Sequence, residues 1–453
     1  MSASQAQVQK MLGNKNNLSE LKSRLWFVII SLIIFRLGSY IPVPGVNPKV
    51  LSQILEQQSG GLLDMFNMFS GGALGRFSLF ALGVMPYITA SIITQILGHS
   101  IPKLKELKKE GESGRKKINQ YTRYATVFLA AFQAYAISFS LQQMGSSGGI
   151  DVVPNPGFGF LFPATIALTG GTMFLMWMGE QITERGIGNG ISLIIFAGIV
   201  VGLPAAIGST FSLVSEGNLN ALIALFMMVL ALAVTYFIVF VERAQRRITM
   251  QYARRGGRMG TQAQSSYLPL KVNMAGVIPV IFASSLVLFP GTLAQFLGQK
   301  EGWGWLLDVA QWLQPGNILY MIFFGGLIVW FAFFYTALTF DPNEMADNLK
   351  RSSAVVPGIR PGRHTADYID SVTTKITFWG ALYLLGVSLM PQVILNFWPS
   401  IPFALGGTSL LIVVVVAMDF MAQLQTHMMS GQYDNLMKKS NLKNYGKSGA
   451  QKR

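Results

Sequence analysis

Residues 219–241 read LNALIALFMMVLALAVTYFIVFV, with no charge, glycine or proline, and residues 242–247 follow at once as ERAQRR. At 1.5 Å per residue, an uncharged run of this length covers the ~30 Å hydrocarbon core of a bilayer as one helix. A strand is excluded. Isolated strands in lipid leave amides and carbonyls unpaired, and the run is too long and too continuously apolar for a barrel. The arginines that end it mark the cytosolic face, because Lys- and Arg-rich loops stay in the cytosol.

Working outward, nine further runs share its character: 25–41, 79–97, 124–144, 158–178, 191–207, 274–289, 318–340, 376–395 and 406–424. The chain is thus expected to be an all-α polytopic membrane protein of ten transmembrane helices. Its bulk agrees: 51% of residues are hydrophobic and only 12% charged, against roughly 25% charged in soluble domains. The charge is +15, and its distribution fixes the orientation. Of 35 basic residues, Lys49, Arg76 and Lys300 fall on one side and Arg36 inside the first span; all others lie opposite, with both termini. One missed helix would scramble that alternation. Both termini are therefore expected in the cytosol. The first run begins behind a polar tail and has no small-residue cleavage site, so it is expected to remain as a span.

Composition also excludes chemistries. There is no cysteine, and His99, His364 and His427 are scattered, so no metal site or other cofactor is expected. No Walker A, G-x-S-x-G or H-E-x-x-H motif and no paired catalytic carboxylates occur, and no enzyme activity is expected. Charge within spans is nearly confined to Arg36 and Asp419. Ion-coupled transporters need ionisable groups near mid-membrane; Asp419, near the cytosolic end of its span, reads as a helix-end or solvated group. Whatever crosses this protein is expected to be driven by something else.

Two features interrupt the spans. Residues 60–75, GGLLDMFNMFSGGALG, are apolar enough to enter a membrane and too short to cross it. A re-entrant segment and an amphipathic helix on the outer leaflet fit the periodicity equally. Pro86, Pro204 and Pro279 lie within runs and are expected to kink their helices. The boundaries read as a cytosolic segment 1–24, a first half 25–209, a second half 210–424 and a cytosolic tail 425–453. Five spans per half would invert one half relative to the other. That inference rests on parity, since no residue-level repeat is evident.

Two cytosolic loops are too long to be connections, 242–273 and 341–375. The first carries Arg243, Arg246, Arg247, Arg254, Arg255 and Arg258. The second carries VVPGIRPG, 355–362, in which Pro357 and Pro361 restrict their neighbours and hold Arg360 out as a fixed projection. Topology enforcement and anionic lipids would account for such arginines in an ordinary membrane protein. Loop length, with Tyr252, Tyr267 and Leu268 among the charges, favours a docking surface for a cytosolic protein or for ribosomal RNA.

At these stretches the sequence resembles the SecY family of protein-conducting channels. The resemblance is carried by MFNMFSGGAL (65–74), ALGVMPYITASIITQ (81–95), KKEGESGRKKINQYTRY (108–124), GEQITERGIGNGIS (179–192), LPLKVNMAGVIP (268–279), ADNLKRS (346–352), PGIRPG (357–362) and GGTSLLIVVVVAMDFMAQ (406–423), in the family's order. It implies an hourglass of two inverted five-helix halves with a re-entrant plug. The plug would include Leu62, Leu63, Met65, Phe66, Met68 and Phe69. A lateral gate would open between spans two and three on one side and seven and eight on the other, with Pro86 and Pro279 on gate helices. The pore ring would be Val84, Ile88, Ile191, Ile195, Ile281 and Ile412. Uncharged branched side chains in a narrow ring dewet and block ions, yet yield to a polypeptide. Arg360 and the Arg243–Arg258 cluster would engage the SecA ATPase or the ribosome. The implied partners are SecE and SecG in a heterotrimer, signal-bearing precursors, anionic lipids, and SecD, SecF and YidC as associates. The implied location is the bacterial inner membrane.

Overall fold

The computed structural model describes residues 15–57, 67–143, 151–217, 219–252, 265–297, 305–314, 316–397 and 407–439. Among the described residues, most of each of the ten apolar runs lies on a helix. Helices α1 (Lys15–Gly38), α3 (Met85–Ser100), α5 (Glu112–Gln143), α6 (Phe158–Arg185) and α7 (Gly190–Ser215) carry the first five runs. Helices α8 (Ala221–Arg243), α9 (Ile278–Leu297), α11 (Ile318–Thr339), α13 (Arg363–Phe397) and α14 (Gly407–Lys439) carry the second five. Seven of these are long and apolar enough to cross a membrane by length and composition; α1, α3 and α9 fall short of that measure. Four short helices fill the connections: α2 (Pro48–Gln57), α4 (Pro102–Lys109), α10 (Trp305–Trp312) and α12 (Pro342–Arg351).

The packing repeats between halves. In the first, α3 packs on α5, α5 on α6 and α6 on α7; in the second, α9 packs on α11, α11 on α13 and α13 on α14. Helix α1 touches α7 as α8 touches α14. The halves meet along two seams. On one, α9 lies against α3 and α5; on the other, α14 lies against α7 and α1. One continuous apolar core spans both halves, with fully buried Leu168, Leu175, Ile194, Phe324 and Phe331 among its largest members.

The expectation of an all-α chain is corrected in one place. The two long basic loops build a three-stranded antiparallel sheet, β2–β1–β3, from β1 (Gln245–Tyr252), β2 (Ser265–Lys271) and β3 (Ala354–Val355). Its register pairs Arg247 with Pro269, Thr249 with Tyr267 and Gln251 with Val355. Pro269 is tolerated because β2 is an edge strand. The strands alternate: Ile248 and Met250 are buried, whereas Arg247 and Thr249 face water. That two-residue period was present in the sequence but was masked by the arginines.

Two proline expectations are also corrected. Pro86 stands in the first turn of α3 and Pro279 is the second residue of α9, so neither kinks a span. Both start helices, where the missing N–H would have no partner anyway. Pro204 does lie inside α7, as do Pro163, Pro290 and Pro391 in their helices.

Candidate functional site

The segment that opens α3 is built to place its first turn deep in the bundle. Gly83 takes φ +56°, a left-handed value that a side chain would strain, and Val84 then caps the helix. Ile88 follows one turn later. The same arrangement recurs before α9: Gly276 has φ +62°, and GVIPVIFAS (276–284) repeats GVMPYITAS (83–91) at glycine, valine, proline, isoleucine, alanine and serine. Ile88 and Ile281 occupy the same place in the repeat. This residue-level echo of the two halves went unnoticed in the sequence reading because it is short and sits at the ends of apolar runs.

Five of the six predicted ring residues, Val84, Ile88, Ile195, Ile281 and Ile412, are buried in one apolar cluster, and the half-buried Ile191 packs on it. They come from four helices, α3, α7, α9 and α14. Beside them opens a cavity of about 500 Å³, whose lining includes Ile88, Ile191, Ile195 and Ile281. Its walls are polar, with Gln95, Asn119, Arg123, Glu180 and Glu184, all on the basic-loop side. Arg123 and Glu180 form a two-pronged ion pair, Nε to Oε1 at 3.0 Å and Nη2 to Oε2 at 2.7 Å, tying α5 to α6. The cavity thus joins polar side chains to the aliphatic ring residues.

The described part of the 60–75 segment, from residue 67, packs against the same cluster. Phe69 is buried in the same cluster as the ring, and Met68 Sδ accepts from Ser409 Oγ at 3.0 Å, one turn before Ile412. Gly71 lies so close to α7 that a Cβ there would stand 3.1 Å from Gly198 Cα. A Cβ at Gly198 would stand 3.0 Å from the Phe69 carbonyl oxygen. Two glycines thus let this segment reach within a turn of Ile195. Leu62, Leu63, Met65 and Phe66 lie outside the described residues.

At the first seam, Ser285 Oγ on α9 meets Met85 Sδ on α3 at 3.8 Å, a weak polar contact between helices expected to separate. At the second, the Gly188 N–H donates to Gln423 Oε1 at 2.9 Å. The sequence reading missed Asn273. Its Nδ2 donates to Glu242 Oε1 at 2.6 Å and to the Gly276 carbonyl at 3.1 Å, fixing the turn that launches α9. A buried asparagine three residues before a left-handed glycine was the available signal. Asp419 lines a smaller cavity of about 230 Å³ with Glu242, Lys271 and Asn273.

Four of the seven arginines expected to dock a partner are described, and all four are exposed. Arg243 ends α8, Arg246 and Arg247 lie on β1, and all three are exposed. Arg360 is exposed too, on a turn between Gly358 (φ +82°) and Gly362 (φ +107°). Its own carbonyl accepts from Thr365 Oγ1 at 2.9 Å, so the backbone is pinned while the side chain stays exposed. Val356 and Ile359 anchor this turn against Ile248 and Leu270 of the sheet. Arg254, Arg255 and Arg258 lie outside the described residues. Val356→Asp should therefore loosen the Arg360 turn without touching the ring. It places a carboxylate in an apolar contact at a cost on the order of 3 kcal/mol. Limited proteolysis should cut faster at 353–362 while the passive ion seal stays intact.

A family model, SecY, matches residues 78–421. The protein translocase subunit SecY of Escherichia coli is 59% identical over 434 residues, covering 96% of this chain and 97% of that protein. The Pseudomonas aeruginosa protein of the same name is 55% identical with the same coverage. A solved protein-conducting channel superposes with a TM-score of 0.66 at 19% identity, covering 91% of this chain and 93% of its own. A SecY channel whose plug domain is described as stabilising the closed state gives 0.66 at 18%. With a match running through the ring, the gate turns and the Arg360 loop, and relatives this close along nearly the whole length, the chain belongs to the SecY family.

Proposed function

We propose that this multi-pass membrane protein is the channel subunit of a general protein translocase. It passes unfolded secretory polypeptides across the bacterial inner membrane and releases apolar segments sideways into lipid between α3/α5 and α9/α11. The observation that carries this reading is the cavity itself: polar walls facing the basic loops, a lining of uncharged aliphatic side chains, and a segment packed against the same cluster. A pocket selective for a small solute would need polar groups in place of that lining, and these are isoleucines.

Val84, Ile88, Ile191, Ile195, Ile281 and Ile412 form the gasket, and residues 60–75 the plug. Force comes from SecA or from a translating ribosome docked on Arg360 and the arginines of 243–258. SecE and SecG complete the heterotrimer; SecD, SecF and YidC are associates, and anionic lipids meet the remaining basic residues. Both termini are cytosolic. Proteoliposomes holding this protein with SecE should import a signal-bearing precursor when SecA and ATP are supplied. Import should vanish without ATP. Folded complex that binds SecA yet imports nothing would overturn the proposal.

A further inference from the structure

Arg36 is the one basic residue inside the first span, and the channel reading leaves it without a task. It is half-buried on α1, and its Nη1 donates to the Gly71 carbonyl at 3.2 Å and lies 3.4 Å from Ser39 Oγ. Its Nη2 donates to the Tyr40 hydroxyl, and its guanidinium sits 4.4 Å from the centre of the Tyr40 ring. Arg76 covers the same ring at 4.3 Å, and its Nη2 lies where a Cβ on Gly72 would meet it at 3.4 Å. Neither arginine forms a salt bridge among the described residues, and Arg76 Nη1 is buried without a hydrogen-bond acceptor. The Tyr40 ring therefore contacts both guanidinium groups.

We propose that Arg36, positioned by Tyr40 and Arg76, is the latch that holds the plug shut. The proposal rests on residues 60–75 being the plug. Gly71 (φ +68°) and Gly72 (φ +79°) form the sharp turn at which that segment leaves the ring. The Gly71 carbonyl is gripped from α1 by Arg36, while its Cα is held against α7 at Gly198. Helix α1 packs mainly on α6, α7 and α14, so the grip is anchored on helices other than the α3–α9 pair. Moving the plug outward breaks one charge-assisted hydrogen bond. Arg36 keeps its place on Tyr40 throughout, aimed for the carbonyl's return. A latch of this kind opens reversibly.

The natural chain has no cysteine, so a Met68→Cys/Ser409→Cys pair reports plug closure as a disulfide between groups already in contact. In the assembled complex in proteoliposomes, Arg36→Gln should raise passive ion leak roughly tenfold, the size expected for losing one charge-assisted hydrogen bond. It should also slow disulfide formation in the reporter pair. Oxidation to completion should return the leak to the parent level. Tyr40→Leu, which leaves the charge but not its support, should give a smaller change in the same direction. Unchanged leak and disulfide rate in both variants would overturn the latch. So would a leak that persists after the plug is locked, because it would arise from loosened packing elsewhere. Deletion of residues 60–75 separates the two claims. If the deletion leaks and Arg36→Gln does not, only the latch fails; if neither leaks, the plug reading fails.

Discussion

Replacing Ile88 and Ile281 together by asparagine should turn a sealed membrane protein into a leaky one, raising ion conductance in proteoliposomes at least about tenfold. Both side chains line the same cavity and belong to the ring cluster, one on each of the helices packed at the α3–α9 seam, and they hold the same place in the internal repeat. The seal depends on their chemistry. A narrow aliphatic ring sheds water, and an ion without water meets a large desolvation barrier. Two amides hydrate the constriction, and each loss of about 1.4 kcal/mol from the barrier raises flux about tenfold. Leucine at both positions is the control, since it keeps apolarity and volume while changing shape. The Leu pair should stay sealed. Equal leak from the Asn and Leu pairs would mean that packing, not wettability, makes the seal, and the ring would lose its assigned role.

Motor-driven import should fall roughly a hundredfold in Arg360→Glu, with the passive seal and the assembled complex unchanged. The side chain is exposed and lends nothing to the fold; its turn is held instead by Val356, Ile359, Thr365 and two left-handed glycines. A charge reversal there subtracts a forked donor from the interface and adds a carboxylate facing the same acceptors. For a fully engaged arginine, about 3 kcal/mol is a moderate loss. Arg360→Lys keeps the charge without the planar fork and should fall between the parent and Arg360→Glu. Import at the parent rate in Arg360→Glu would remove this residue from the docking surface and leave the arginines on β1 to carry it.

The β-sheet changes how those two sets of arginines are understood. In the sequence they belong to loops about a hundred residues apart and stand as separate docking elements. In the fold β3 pairs with β1, and Val356 and Ile359 pack on Ile248 and Leu270, so the turn that carries Arg360 is attached to the same sheet that carries Arg246 and Arg247. The sheet's buried side, Ile248, Leu270 and Val356, is what makes Arg360 rigid. Mutations on that side are expected to imitate mutations of the arginine in import while sparing its charge.

The sequence by itself determined that the chain is a predominantly helical multi-pass membrane protein and, through its family motifs, which family it belongs to and which side chains to watch. Those are local matters. Whether a helix prefers lipid depends on its own residues, and its direction depends on the charges flanking it. What only the tertiary structure decided is where distant residues converge. Val84, Ile195, Ile281 and Ile412 sit on four helices and look like any other apolar positions until packing brings them together. Pro86 and Pro279 looked like kinks because an apolar run does not reveal where its helix begins; the left-handed glycines before them do. Arg36 looked like an ordinary buried charge, and its partner proved to be a backbone carbonyl 35 residues along the chain. Backbone acceptors carry no sequence signature, so only the fold could supply that contact.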